Sequence, residues 1–206
     1  MPPIVGNMRI LIVGAAGTFG RAIQQRLQER GHDIITVGRS TGDIRCDIAD
    51  ERQLARLWEQ AGQLDAVVSA AGEVKYAPLG QLSSGDFLES FMQKGLAQIN
   101  LVRTGLDHVA SRGSFTLTSG IPSRDPVISS AAAATVNGAV EAFVRAAAIE
   151  IAPRRINVVS PSVATESLET FGDYFPGFAS VDLADVARGF QKSVEGAATG
   201  QVIILP

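Results

Sequence analysis

The chain has 206 residues, 46% of them hydrophobic, with 18 basic and 21 acidic side chains and a net charge of −3. That length and apolar fraction suit one large core, so one domain over 1–206 is expected. The near-balanced charge gives no footing for nucleic acid or an acidic membrane surface as partner. No unbroken apolar run reaches the roughly 20 residues that span a bilayer.

The start, Met-Pro-Pro-Ile-Val-Gly-Asn-Met, lacks the basic flank and apolar centre of a secretion signal. A single cysteine, Cys46, excludes an internal disulfide, and a cytoplasmic protein is the default expectation. Cys46 itself reads as a small buried hydrophobe. His32 and His108 fall in no metal-ligand spacing, so no metal is expected.

Strand and helix patterns alternate along the chain. Short apolar runs predict strands over 9–13, 33–37, 44–46, 66–69, 114–118, 155–159 and 201–205. They are mostly unbroken rather than alternating, which suits a parallel sheet covered on both faces. Helices are predicted over 19–30, 51–60, 86–111, 131–151 and 182–193. In the first, Phe19, Ile23 and Leu27 recur at helical spacing, and Gly31 stands where a helix ends. In the second, Leu54, Leu57 and Trp58 form the apolar stripe. Such alternation predicts an α/β, doubly wound, Rossmann-type sheet of about seven strands. The irregular stretch 160–180 carries Phe171, Tyr174, Phe175 and Phe178. It reads as a lid or substrate wall, the alternative being a plain surface loop.

The most informative segment joins the first strand to the first helix: Gly14-Ala15-Ala16-Gly17-Thr18-Phe19-Gly20. Gly14 permits a tight turn, Gly17 lets backbone approach phosphate, and Gly20 lets helix and strand pack closely. The first N–H groups of the helix then face an anion. With a strand before and a helix after, this points to a dinucleotide pyrophosphate. The second strand ends Gly38-Arg39-Ser40 without the acid that would accept bonds from ribose hydroxyls. Arg39 and Ser40 stand where a 2′-phosphate would lie, which predicts NADP(H). The alternative is that Arg39 is a solvated turn residue.

Taken in order, these segments resemble the short-chain dehydrogenase/reductase family. Asp47-Ile48 resembles the acid placed near the adenine. Ser69-Ala70-Ala71-Gly72 resembles the Asn-Ala-Gly turn. Phe115-Thr116-Leu117-Thr118-Ser119-Gly120 is similar to the strand that ends in the catalytic serine. Arg155-Ile156-Asn157-Val158-Val159-Ser160-Pro161-Ser162 resembles the Arg-Ile-Asn stretch, followed by Val163 and by Thr165 at the nicotinamide position. The resemblance implies a cofactor site built from Gly14, Ala16, Gly17, Thr18, Phe19, Gly20, Arg39, Ser40, Asp47, Ile48, Ala70, Ala71, Gly72, Pro161, Val163 and Thr165. It also implies a homo-oligomer, dimer or tetramer.

The family's Tyr-x-x-x-Lys pair is missing. Aligned on Asn137-Gly138-Ala139-Val140-Glu141, the lysine position holds Asn137 and the tyrosine position Ala133. The only tyrosines are Tyr76 and Tyr174. The small residues around positions 133 and 137, from Ala131 to Ala134 and again at Gly138 and Ala139, leave either a wide substrate cavity or a close-packed helix face. Lys94 aligns with the asparagine of the family's proton relay. It is either a substitute electrostatic group or a surface lysine. Ser119 and Lys94 are therefore the candidate catalytic residues. Two activities follow: an NADP(H)-dependent oxidoreductase acting on a small carbonyl or alcohol, or a dinucleotide-binding sensor or scaffold without turnover.

Overall fold

β1 (Arg9–Val13) lies inside a sheet, and its neighbouring side chains point to opposite faces. Both faces are apolar: Ile10 and Ile12 join one core, Leu11 and Val13 the other. A strand buried on both sides has no polar positions to alternate, which is why the run is unbroken. The structure is a computed structural model that describes residues 6–206, so the amino-terminal stretch read for a secretion signal begins outside it.

The remaining strands are β2 (Asp33–Gly38), β3 (Ile44–Arg45), β4 (Leu64–Ser69), β5 (Val109–Thr118), β6 (Arg155–Ser160) and β7 (Val202–Ile204). All pair in parallel, in the order β3-β2-β1-β4-β5-β6-β7. The expected doubly wound α/β sheet is therefore present. α1 (Thr18–Glu29) and α7 (Leu183–Glu195) cover one face, where Ile23, Leu27, Val186, Phe190 and Val194 meet Ile10, Ile12, Ala66 and Val68. α2 (Glu51–Ala61), α4 (Ala97–Gly105) and α5 (Ala131–Glu150) cover the other. Leu54, Leu57, Trp58, Leu101, Val140 and Val144 bury themselves there against Leu11, Val67, Phe115 and Val158. Each fully buried large apolar side chain contributes roughly 1.5–3 kcal/mol.

By length and composition alone α5 could cross a membrane. Here it is a core helix, with Ala132, Ala133, Val136, Val140, Val144 and Ala147 turned inward.

Two sequence expectations need correction. The helix predicted over 86–111 is shorter and broken. α3 (Ser84–Ser90) leads into a π-helical turn, Phe91–Leu96, then α4, and a short 3-10 turn ends at His108. Val109–Ser111 belong to β5, because Val109 pairs with Leu64 of β4. The stretch 160–180 is not irregular throughout. It holds a 3-10 turn Thr165–Ser167, α6 (Leu168–Phe171) and a second 3-10 turn Gly172–Tyr174.

Candidate active site

Strand order reverses between β1 and β4, and open α/β sheets bind ligands in the crevice at that switch point. The glycine turn fills it. Gly14 takes φ +79°, and its N–H donates to the Val37 carbonyl at 2.8 Å. A Cβ there would come within 2.9 Å of the Ala70 carbonyl oxygen. A Cβ on Gly20 would fall on the Gly14 carbonyl and within 2.7 Å of Ala15 Cα. The turn therefore closes tightly enough to aim α1 at the crevice. No side chain caps the amino end of α1, which leaves its first N–H groups and dipole for an anion.

A cleft of about 230 Å³ opens at this point. It brings together Gly14, Gly17, Arg39, Asp47, Ile48, Ala70, Ala71 and Gly72 from the ends of β1, β2, β3 and β4. Glu73 and Gln93, which belong to none of the sequence motifs, complete its wall. The Asp47 carboxylate accepts from the Ala49 N–H at 3.0 Å, and the Asp47 N–H donates to Gln53 at 2.9 Å. Ala16, Thr18 and Ser40 are exposed around the turns, Phe19 is half-buried and Gly20 buried. A larger groove of about 490 Å³ runs between α1 and α7, but Thr18 is the only expected site residue lining it.

Further along the carboxyl edge, past β5, a second group converges. Ser119 is buried and follows β5 directly. Its hydroxyl donates to Glu141 Oε1 at 2.8 Å, and Ser123 donates to the same oxygen at 2.7 Å. Lys94 Nζ donates to the Ser119 carbonyl at 3.3 Å. Lys94 is buried, so it is not a surface lysine. Burial pushes its pKa down to about 8, against a smaller upward pull from the Glu141 carboxylate. The π-helical turn holds Lys94 and Gly95 on the buried side of the helix. Such turns recur at functional sites. Gln98 locks the backbone below, accepting from the Thr118 N–H at 2.9 Å and donating to its carbonyl at 3.0 Å.

Ala133 and Asn137 sit on the inner face of α5, and both are buried. Asn137 Nδ2 donates to the Gly120 carbonyl at 3.4 Å, while its Oδ1 has no partner. Glu141, Gln98 and Ser123 are the residues that sequence reasoning passed over. Glu141 had a signal: it stands one helical turn beyond Asn137, on the same face of α5.

Pro161 and Val163 are buried beside the end of β6. The Thr165 hydroxyl is engaged with Asp182 at 2.7 Å and Ser180 at 3.0 Å. The two tyrosines meet each other edge to face, with ring centroids 6.0 Å apart. Burial raises the Tyr76 pKa, which makes it a poorer acid. Among the described residues no group of His, Cys, Asp and Glu could hold a metal.

A family model described as enoyl-(acyl carrier protein) reductase matches residues 14–188. Versicolorin reductase 1 of Dothistroma septosporum is 28% identical over 205 residues, covering 84% of this chain and 78% of that protein. Among solved structures, the protein lin1944 from Listeria innocua is 44% identical with a TM-score of 0.94, covering 97% of this chain and all of that one, 100%. A small-chain dehydrogenase in complex with NADPH has a TM-score of 0.86 at 23% identity, covering 97% of each chain, a likeness of fold. The family match runs from the glycine turn into the first half of α7, and it takes in the cleft and the Ser119 cluster alike. The chain belongs to the short-chain dehydrogenase/reductase family.

Proposed function

We propose that the protein is an NADP(H)-dependent oxidoreductase that interconverts a small carbonyl and its alcohol, with Ser119, Glu141 and Lys94 in place of the missing tyrosine and lysine. The observation that carries this reading is the partly buried Ser119–Glu141 hydrogen bond of 2.8 Å, with the buried Lys94 on the Ser119 carbonyl. The glycine turn, with no room for a Cβ at Gly14 or Gly20, fits a pyrophosphate against α1. Asp47, Ile48, Ala70, Ala71 and Gly72 would hold the adenosine half. Pro161, Val163 and Thr165 lie on the side that would take the nicotinamide. Arg39 and Ser40 at the end of β2 support the 2′-phosphate. A bound nicotinamide supplies or accepts the hydride.

The chain's own residues handle the proton. In alcohol oxidation Ser119 Oγ takes the substrate hydroxyl proton while its own proton passes to Glu141 Oε1. Carbonyl reduction runs the same transfers backwards. Lys94 places positive charge beneath Ser119 and steadies the carboxylate. The segment 160–180, with Tyr174 against Tyr76, would wall the substrate side.

The test is a fluorescence titration with NADPH and NADH, followed by a panel of aldehydes, ketones and quinones. Ser119→Ala and Glu141→Gln are each expected to lower kcat by about 10²- to 10⁴-fold with NADPH affinity retained. Tight NADPH binding without turnover on any substrate would favour the second reading, a sensor or scaffold. The buried Ala133, which leaves no acid at the tyrosine position, supports that alternative. A homodimer through the outer face of α5 is proposed with either activity. A cytoplasmic location suits the one free, buried thiol at Cys46.

A further inference from the structure

Arg39, the residue assigned to the 2′-phosphate, already has an anionic partner. Its guanidinium is ion-paired with the Glu73 carboxylate. Arg39 follows β2 and Glu73 follows the turn after β4. These two strands flank β1 in the sheet. The pair therefore spans the carboxyl end of β1, beside the glycine turn, and both residues line the same cleft. We propose that Glu73 is a specificity-determining residue: its carboxylate occupies Arg39 in the free protein and competes with the 2′-phosphate of NADP(H) for it. This rests on the NADP(H) reading above.

Three features support the assignment. The first is that the turn presenting Glu73 is held in place by its neighbours. Gly72 takes φ +138°, and a Cβ there would lie 2.5 Å from Lys94 Cγ and 2.9 Å from Lys94 Cβ. The Lys94 stem thus packs on the turn that presents Glu73, and the turn has no room to swing inward. The second is that the pair is weak enough to open. Arg39 is 61% exposed and Glu73 72%, and exposed ion pairs add little net stability. A phosphate presents more charge than a carboxylate and offers the guanidinium fork a two-pronged partner. The third is that the released carboxylate stays close to the phosphate. Asp47 and Glu89 line the neighbouring groove, with Lys75 as its other cation. Added negative charge there meets repulsion, so Glu73 opposes a 2′-phosphate both by holding Arg39 and by its own charge. A 2′-hydroxyl meets neither penalty and can donate to Glu73. Glu73 thereby narrows the preference that Arg39 creates, a device acting through repulsion as well as attraction.

The test is a set of fluorescence titrations with NADPH and NADH on the wild type, Glu73→Gln, Arg39→Ala and the double variant. Glu73→Gln is expected to tighten NADPH binding about fivefold while NADH changes by less than about twofold. Arg39→Ala is expected to weaken NADPH binding about tenfold and to abolish the gain from Glu73→Gln in the double variant. If Glu73→Gln leaves NADPH binding unchanged, or shifts both cofactors by the same factor, the competition does not exist. Should Arg39→Ala still weaken NADPH in that case, the NADP(H) reading stands and only the role of Glu73 falls. If Arg39→Ala changes nothing, or the wild type binds neither cofactor, both readings fall.

Discussion

Burying the Lys94 ammonium costs free energy that the Ser119 carbonyl and the Glu141 charge only partly return. Its pKa in the fold, about 8, lies below the roughly 10.4 of an unfolded chain. Between those values the unfolded chain binds more protons, so this residue makes stability rise with pH across that window. Below about pH 8 the burial penalty is present in full. Comparing wild type with Lys94→Met by chemical denaturation at pH 7.5 and pH 10 isolates the effect. The wild type is expected to gain on the order of 1–3 kcal/mol relative to the variant as pH rises. Parallel stability curves would show that Lys94 has the same pKa in the folded and the unfolded chain. Residue identity alone supplied the candidates here. It could not tell a buried lysine from a surface one, because the helix phase is reset by the π-helical turn at 91–96.

Elements are tied together by polar residues whose roles the linear motif hides. Asn157, in the Arg-Ile-Asn stretch, is fully buried in β6. Its Nδ2 donates to Ser193 Oγ at 3.1 Å and to the Ala198 carbonyl at 2.9 Å, and its Oδ1 accepts from the Gln201 N–H at 3.0 Å. It therefore joins β6 to the end of α7 and to the approach to β7. Asn157→Ala would leave buried donors and acceptors unpaired, with an expected loss of about 2–4 kcal/mol in a urea titration. A loss under about 0.5 kcal/mol would mean water replaces these bonds. The segment at 106–111, Leu-Asp-His-Val-Ala-Ser, teaches the opposite lesson. Its apolar spacing suits a helix end or a strand start. The pairing of Val109 with Leu64 decides for the strand, a contact 45 residues away in the chain that no local window contains.

At the scale of the whole molecule, the outer face of α5 is left uncovered. Gly138 has open space where a Cβ would stand, Ala142 is exposed, and Ile149 is 83% exposed. Small residues let a second helix approach closely. Ala142→Glu, at an exposed position, is expected to convert a dimer to a monomer in sedimentation velocity, with the far-UV circular dichroism unchanged. A wild type that sediments as a monomer removes the proposal. The sequence by itself determined the doubly wound fold, because both-face burial writes unbroken apolar strands and helical periodicity writes the covering layers. It also determined the glycine turn, whose backbone demands only glycine meets at Gly14 and Gly20. Tertiary structure alone decided which polar side chains meet. Ser119 and Glu141 are 22 residues apart and join where the end of β5 meets the middle of α5, while Arg39 and Glu73 are 34 apart and join because β2 and β4 end at one sheet edge. Local propensity carries no record of such encounters: motifs name the serine and the arginine, helical register with Asn137 is the one signal for Glu141, and Glu73 has none.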